Sequence, residues 1–175
     1  MSIIDAIKTR RSIRQFTDQK VDETVLQHIL AAAMHAPSAI DEQPWQFIVL
    51  DDRALMDAIP QFHPHAAMIA QAPVGVLICG DKRLFKLKDY WVQDCSAATQ
   101  NMLLAAHALG LGAVWTGIYP SEERVQAFVN LLGLPDFLIP FALVPIGYPN
   151  ETPPAKDPFK ETRIHRNRVS PSSQP

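Results

Sequence analysis

What this chain has little of narrows the reading before any motif is considered. It has two cysteines, Cys79 and Cys95. They form no CxxC or zinc-type spacing, so neither a disulfide framework nor a structural metal site is expected. Cys79 falls in the apolar run Val74–Cys79 and reads as a buried, inert thiol. No apolar stretch reaches the roughly 20 residues that span a bilayer. The opening Met1-Ser2-Ile3-Ile4-Asp5 reads as a helix start and lacks the layout of a signal peptide, so the expected compartment is the cytoplasm. A net charge of only −2 argues against a nucleic-acid protein and against a basic membrane-surface protein. The Gly-x-Ser-x-Gly elbow, the Walker loop and HExxH are all missing. Glycine is scarce too, at seven residues against fifteen prolines.

What is present describes an ordinary globular chain. Its 175 residues, 47% hydrophobic and 19% charged, suit one domain able to bury roughly 70% of its unfolded surface. Ser2, with Asp5 three residues on, signals a capped helix to about Thr9. A second helix is expected over Asp22–His35, with Val25, Ile29, Ala32 and Ala33 on one face and Pro37 as its stop. Gln46–Leu50 reads as a strand and Arg53–Ile59 as a short helix. The run Val74–Cys79, ended by Gly80-Asp81, suits a buried central strand. The longest helix spans about Tyr90–Leu109 and is closed by Gly110. Its small residues Ser96, Ala97, Ala98, Ala105, Ala106 and Ala108 permit close backbone approach. A strand over Ala113–Gly117 follows, then a helix capped by Ser121 and ended by Gly133. The last strand, Phe141–Gly147, contains Pro145, which implies an edge position or a bulge. From Asn150 the composition turns to proline, charge and serine, which cannot make a core, so this arm wraps a partner surface or is partly disordered. The pattern leaves α+β and α/β both open.

Three segments carry residues suited to binding. Arg10-Arg11-Ser12-Ile13-Arg14 could grip a phosphate by forked, charge-assisted hydrogen bonds; the same cations also suit a helix C-terminus. In Pro37-Ser38-Ala39-Ile40-Asp41-Glu42-Gln43-Pro44, two prolines stiffen a loop that displays Ser38, Asp41 and Gln43, although a plain helix-to-strand connection would be equally proline-rich. Gly110-x-Gly112 follows a helix and enters a strand, the reverse of a Rossmann loop. Beyond it, exposed backbone N–H groups at Thr116-Gly117-Ile118 could meet an acceptor atom. His63-Pro64-His65 has no evident third metal ligand and reads as a loop histidine pair, and His107 as a packed or interfacial residue.

Together these segments resemble the nitroreductase family in content, order and spacing. The resemblance begins at Ile3-Asp5-Ala6-Ile7 with Arg10–Phe16 and continues through Ala36-Pro37-Ser38 and Gln43–Phe47. It then takes in Asp94–Leu111, Trp115–Pro120 and the terminal Arg163-Ile164-His165. It implies an α+β, α-β-α sandwich with a mostly antiparallel central sheet, interlocked as a homodimer with FMN at the interface. Residues 1–175 would form one FMN-binding domain, with 150–175 as an extended C-terminal arm. It also implies that Arg10 and Ser12, with Arg11 assisting, hold the phosphate and ribityl chain. Arg14 would approach the N1/O2 edge of the isoalloxazine. Pro37, Ser38, Ala39 and Asp41 would come from the other subunit. Trp115, Thr116, Gly117 and Ile118 would face the N5/O4 edge, and Arg163, with Arg166 as a second contact, would return to the phosphate. No side chain is expected to act as a catalytic acid or base, Arg14 and Gly117 tuning the cofactor instead. The implied activity is hydride transfer from NAD(P)H through FMN to nitroaromatic, quinone or related acceptors, in alternating half-reactions, with no metal, nucleic acid or membrane involved. Position 41 departs from the family, which usually has asparagine there. An ionised aspartate accepts hydrogen bonds but cannot donate one. Alternatives are a reductive dehalogenase-like or flavin-consuming enzyme, for which the only lid candidate is Asp81–Asp89 (with Lys82, Arg83, Lys86 and Lys88 read more simply as a solvated basic face), and a flavin-binding sensor or reservoir without turnover.

Overall fold

A computed structural model describes residues 2–169. The part of the expected tail from residue 170 onward lies outside the described residues. Helix α1 (Ile3–Thr9) starts where expected: the Ser2 hydroxyl accepts from the Asp5 N–H while the Asp5 carboxylate accepts from the Ser2 N–H, a complete capping box. Helix α2 (Glu23–Met34) is capped by the Asp22 carboxylate. Its inward face is Leu26, Ile29 and Ala33; Val25 and Ala32 are only partly covered, so the expected stripe is rotated by about one residue toward Leu26.

The strands form one antiparallel sheet. Strand β1 (Trp45–Leu50) pairs with β2 (Val74–Asp81), and β2 with β5 (Leu138–Gly147). On the far side of β5 lie two short pieces, β3 (Gly112–Ala113) and β4 (Thr116–Gly117). The expected single strand over Ala113–Gly117 is thus two. They share one register against β5, since Ala113 faces Ile146 and Thr116 faces Leu143. The ladder lapses between them, where Val114 and Trp115 would meet Pro145 and Val144. Proline has no N–H to contribute to a ladder. The expectation of an edge strand at Pro145 is corrected: β5 lies inside the sheet, with a neighbour on each side. The register shift in β2–β5 falls between Ile78 and Cys79, opposite Ala142 and Pro140.

Side chains alternate across this sheet with period two. Val76 and Ile78 of β2, with Ala142, Val144 and Ile146 of β5, pack against α2 and α4 (Trp91–Ala108). Leu77, Cys79 and Leu143 face the opposite way, against α3 (Arg53–Ala58), the turns after it, and Phe128 of α5 (Glu122–Leu132). Helices on both faces of one sheet make the α-β-α sandwich. Both thiols are buried and free; burial lifts Cys79 to about 12. Two of the small residues of α4 are used within the chain, while Ser96, Ala97 and Ala105 are partly covered and Ala108 is exposed. Ala98 and Ala106 are fully buried, and Asn101 reaches across to donate to the Ala32 carbonyl at 3.1 Å. Gly110, at φ 82°, closes α4 as a Schellman motif, the Leu111 N–H reaching the Ala106 carbonyl at 2.8 Å.

Candidate functional site

After α1 the chain turns along the sheet edge. Ser12 forms a parallel bridge to Ala113, with the Ile13 N–H donating to the Ala113 carbonyl at 3.1 Å. Buried Ile13 anchors the segment, which leaves Arg10, Arg11, Ser12 and Arg14 lining one cleft of about 1040 Å³. Its other wall is the C-terminal arm: Glu151, Pro153, Pro154, Lys156, Asp157, Pro158 and Phe159. Glu151 fastens that wall, its carboxylate accepting from the backbone N–H groups of Arg14 and, at 3.0 Å, Gln15.

The arginines of the cleft differ in what they hold. Arg11 donates to the carbonyls of Pro154, Lys8 and Arg10 at 3.1, 2.8 and 2.8 Å, so its guanidinium shapes the wall. Arg10 is partly buried, and its Nη1 is a buried donor without a partner in the described chain. Burial, with the Arg11 charge beside it, pushes Arg10 below the usual arginine range. His107, partly buried on α4, touches the Thr9 hydroxyl at 2.8 Å. Burial first, then Arg10 and Arg11, hold it below the ordinary histidine value. A buried cation with an unsatisfied donor is costly unless an anion completes it.

Four residue steps of extended chain, roughly 13 Å, lead from Ala113 to Gly117. Ile118 donates its N–H to the Phe141 carbonyl at 3.0 Å. By the alternation of antiparallel ladders, Thr116 and Ile118 then point their backbone groups at β5, and Gly117 points its own away from it. The outward Gly117 carbonyl accepts from the Arg124 guanidinium at 3.2 Å. A Cβ built on Gly117 would meet nothing within 4 Å, so the space over this edge is open. Thr116 is buried, its hydroxyl donating to the Leu143 carbonyl at 2.8 Å. Trp115 packs edge-on against Phe141, centroids 5.6 Å apart.

The structure does not bring every expected residue to this cleft. Pro37, Ser38, Ala39 and Asp41 sit on a separate loop and do not line it. Asp41 is exposed, accepting from the Gln43 side-chain amide at 2.9 Å. Arg163 lies in an exposed single turn of the arm, away from the cleft lining, and Arg166 is exposed too. Lys156 and Phe159 line the cleft though no sequence signal singled them out. Glu42 and Asp94 were also missed: they are buried carboxylates, each 5% exposed. The expected pair of histidines meets edge to face, ring centroids 6.4 Å apart, but only His65 is exposed, His63 being 1% exposed. Among the described residues no group of histidine, cysteine and carboxylates is arranged to hold a metal ion. The basic stretch after β2 is only partly free. Arg83 pairs with Asp81 at 2.6 Å and lies 3.6 Å over the Phe137 ring, while Lys82 donates to the Asp136 carbonyl.

The fold and this edge define a class: an α+β sandwich whose sheet edge carries an arginine-lined cleft and, at Gly117, a backbone N–H turned away from β5. The family model described as the nitroreductase family matches residues 7–72 and 61–148, and the chain belongs to that family. A protein of Methanothermobacter thermautotrophicus, provisionally named NADH dehydrogenase/NAD(P)H nitroreductase, is 52% identical over 165 residues, covering 94% of this chain and 86% of its own. A crystal structure from Clostridium acetobutylicum, provisionally named NADH oxidase, superposes with a TM-score of 0.91 at 40% identity, covering 94% of this chain and 100% of that one. A provisionally named nitroreductase from Desulfovibrio desulfuricans, solved in complex with FMN, has a TM-score of 0.83 at 30% identity, covering 97% and 99%.

Proposed function

We propose that this chain is one FMN-binding domain that works as a homodimer, with residues 150–175 as its extended arm. It passes hydride from NAD(P)H to nitroaromatic, quinone or related acceptors in alternating half-reactions. The observation that carries this reading is the buried, unpartnered Arg10 Nη1 in a cationic cleft, with open space over Gly117 further along the sheet edge that Ser12 joins at Ala113. A phosphate would complete Arg10, and a flat ring could lie over Gly117 where a side chain would stand. The Desulfovibrio relative's complex with FMN supports the same cofactor here.

The bound flavin supplies the redox chemistry, so the protein needs no nucleophile or triad. Its own residues then have three tasks. Arg10 and Ser12 hold the phosphate end, while Arg11, already bonded to the arm, keeps the cleft wall in place. Arg14 sets a positive charge beside the ring edge where negative charge builds on reduction, and the Gly117 N–H offers a donor to the edge that takes up hydride. Ser38, Ala39 and Asp41, standing away from their own cleft, serve the partner's, and Asp41 accepts where the family's asparagine could also donate. Arg163, with Arg166 as a second contact, would return from the arm to the phosphate, although neither lines the cleft in this chain.

The purified protein is expected to be yellow, to release FMN and not FAD on denaturation, and to oxidise NADH or NADPH in turnover with menadione or a nitrofuran. Colourless protein that takes up no flavin on reconstitution overturns the reading. Tight FMN binding without turnover would instead assign it as a flavin reservoir.

A further inference from the structure

The loop between α2 and β1 holds an unusual backbone. Ile40, Asp41 and Gln43 have φ of 45°, 55° and 46°, a left-handed region that costs a non-glycine residue energy and that a β-branched isoleucine rarely enters. Such a conformation persists only where its surroundings over-determine it.

Two buried carboxyl groups do that here. The Asp94 carboxylate, in the first turn of α4, accepts the Ala39 N–H at 3.0 Å. The Glu42 carboxylate accepts the N–H groups of Lys86 and Leu87 at 2.8 and 3.0 Å. Within the loop, the Ser38 hydroxyl accepts the Gln43 N–H at 3.0 Å. One oxygen on each acid, Asp94 Oδ2 and Glu42 Oε1, is buried with no other partner in the described chain. Burial raises Asp94 above the usual carboxylate range, and the neighbouring Glu42 carboxyl raises it further, against the lowering effect of the Ala39 N–H. The Asp94 carboxyl, which burial makes harder to ionise, has the Glu42 side chain as its hydrogen-bonding neighbour.

We infer that Glu42 and Asp94 form a carboxyl clasp that holds residues 38–43 in their strained, cofactor-presenting shape and ties that loop to the entry of α4. They are positioning residues: neither lines the cleft, and both act through the backbone of the loop that carries Ser38, Ala39 and Asp41. This rests on the flavin reading for what the loop presents, but the clasp itself is a property of the folded chain.

The test uses Asp94→Asn, Asp94→Ala, Glu42→Gln and Glu42→Ala, with two readouts. The first is amide hydrogen exchange at residues 39–43, 86 and 87 without added flavin; the second is the FMN dissociation constant of the dimer. Asparagine at 94 can accept from Ala39 and donate to Glu42, so it should keep wild-type protection and affinity. Asp94→Ala and Glu42→Ala should raise exchange across residues 39–43 and weaken FMN binding by about tenfold. Glu42→Ala should also free amides 86 and 87. Glu42→Gln keeps an acceptor for those two amides and should fall between, which preserves the test if an alanine variant fails to fold. A folded Asp94→Ala variant, or a Glu42→Ala variant that frees amides 86 and 87, overturns the clasp if it leaves loop protection and FMN affinity within twofold of wild type. If wild type binds no FMN, the flavin reading fails, and the exchange data still decide the clasp.

Discussion

At the residue scale, two arginines four positions apart in the sequence are expected to do different things. Arg10 carries a buried, unpartnered donor, whereas Arg14 is exposed on the other side of the anchoring Ile13. Arg10→Ala deletes charge-assisted bonds to phosphate, each worth roughly 1.5–3 kcal/mol, so FMN affinity should fall by about tenfold or more. Arg14→Ala should instead lower the midpoint potential of the bound cofactor by about 30 mV or more, since roughly 30 mV corresponds to 1.4 kcal/mol for a two-electron couple. Dissociation constants and potentials of the two variants decide it; a potential moved by Arg10→Ala alone would reverse the roles. His63 gives a second test, in stability. Burial first, then the charges of Arg124 and His65, hold it down to about 4 from 6.5, against a raising contribution from the Gly117 backbone. The unfolded chain therefore binds this proton from about pH 6.5 downward and the folded chain only near pH 4. The stabilisation is complete above pH 6.5, declines through that window, and is gone below about pH 4. It amounts to at most roughly 3 kcal/mol. Denaturant titrations from pH 7 to pH 4 should show that loss in wild type, and His63→Phe should flatten it. An unchanged slope in the variant assigns the acid sensitivity to other groups.

At the element scale, the cleft depends on how closely the segment after α1 lies against β3. A Cβ on Gly112 would stand 2.6 Å from both Cβ and Cγ2 of Ile13. Ile13 is β-branched and stiff at χ1, so the conflict cannot be relieved by rotating a distant methyl; the strand-like segment itself must shift. Gly112→Ala should cost about 1–3 kcal/mol of stability, as overpacking usually does. Because Ser12 bridges Ala113 next to that contact, the same variant should weaken FMN binding. Thermal melts with and without FMN test it, and a variant with wild-type melting in both conditions would refute it. This contact was not legible in the sequence. Gly112 reads there as half of a glycine pair after a helix, and its partner Ile13 lies about a hundred residues earlier.

At the scale of the whole molecule, the protomer leaves apolar side chains uncovered. Ile3 and Ile4 of α1 are 79% and 59% exposed, and Phe159, Ile164 and Val169 of the arm 71%, 62% and 66%. Long apolar residues at this density on one helix and one extended arm suit a partner surface. They mark α1 and the arm as contact surfaces of the proposed dimer; Tyr90 and Leu109, at the two ends of α4, are also 47% and 45% exposed. Light scattering should give twice the monomer mass of 19.5 kDa, and Ile3→Glu with Ile4→Glu, both outside the cleft lining, should shift the population to monomer and lose FMN with it. A folded, FMN-bound monomer in wild type would defeat this. No helix among the described residues is long and apolar enough to cross a membrane.

Local chemistry is what the chain announces by itself. The Ser2–Asp5 box, the Ser121 cap, the glycine stops at Gly110 and Gly133, and the apolar run of β2 each depend on neighbours within a few residues. All of them appear as read. The ordered arginine, proline-serine and tryptophan-threonine-glycine segments were legible as well, because residue type and order suffice to mark a family. Only the tertiary structure decided which of them meet. Ser12 joins Ala113, Glu151 closes the arm on Arg14, and Asp94 grips Ala39 across distances of about a hundred, about 137 and 55 residues. Pro145 showed the same limit, since a missing N–H marks a gap in a ladder but cannot say whether the strand lies at the edge or the centre. Strand order, burial of Glu42 and Asp94, and the isolation of Arg10 follow from packing between distant segments, which no local pattern encodes.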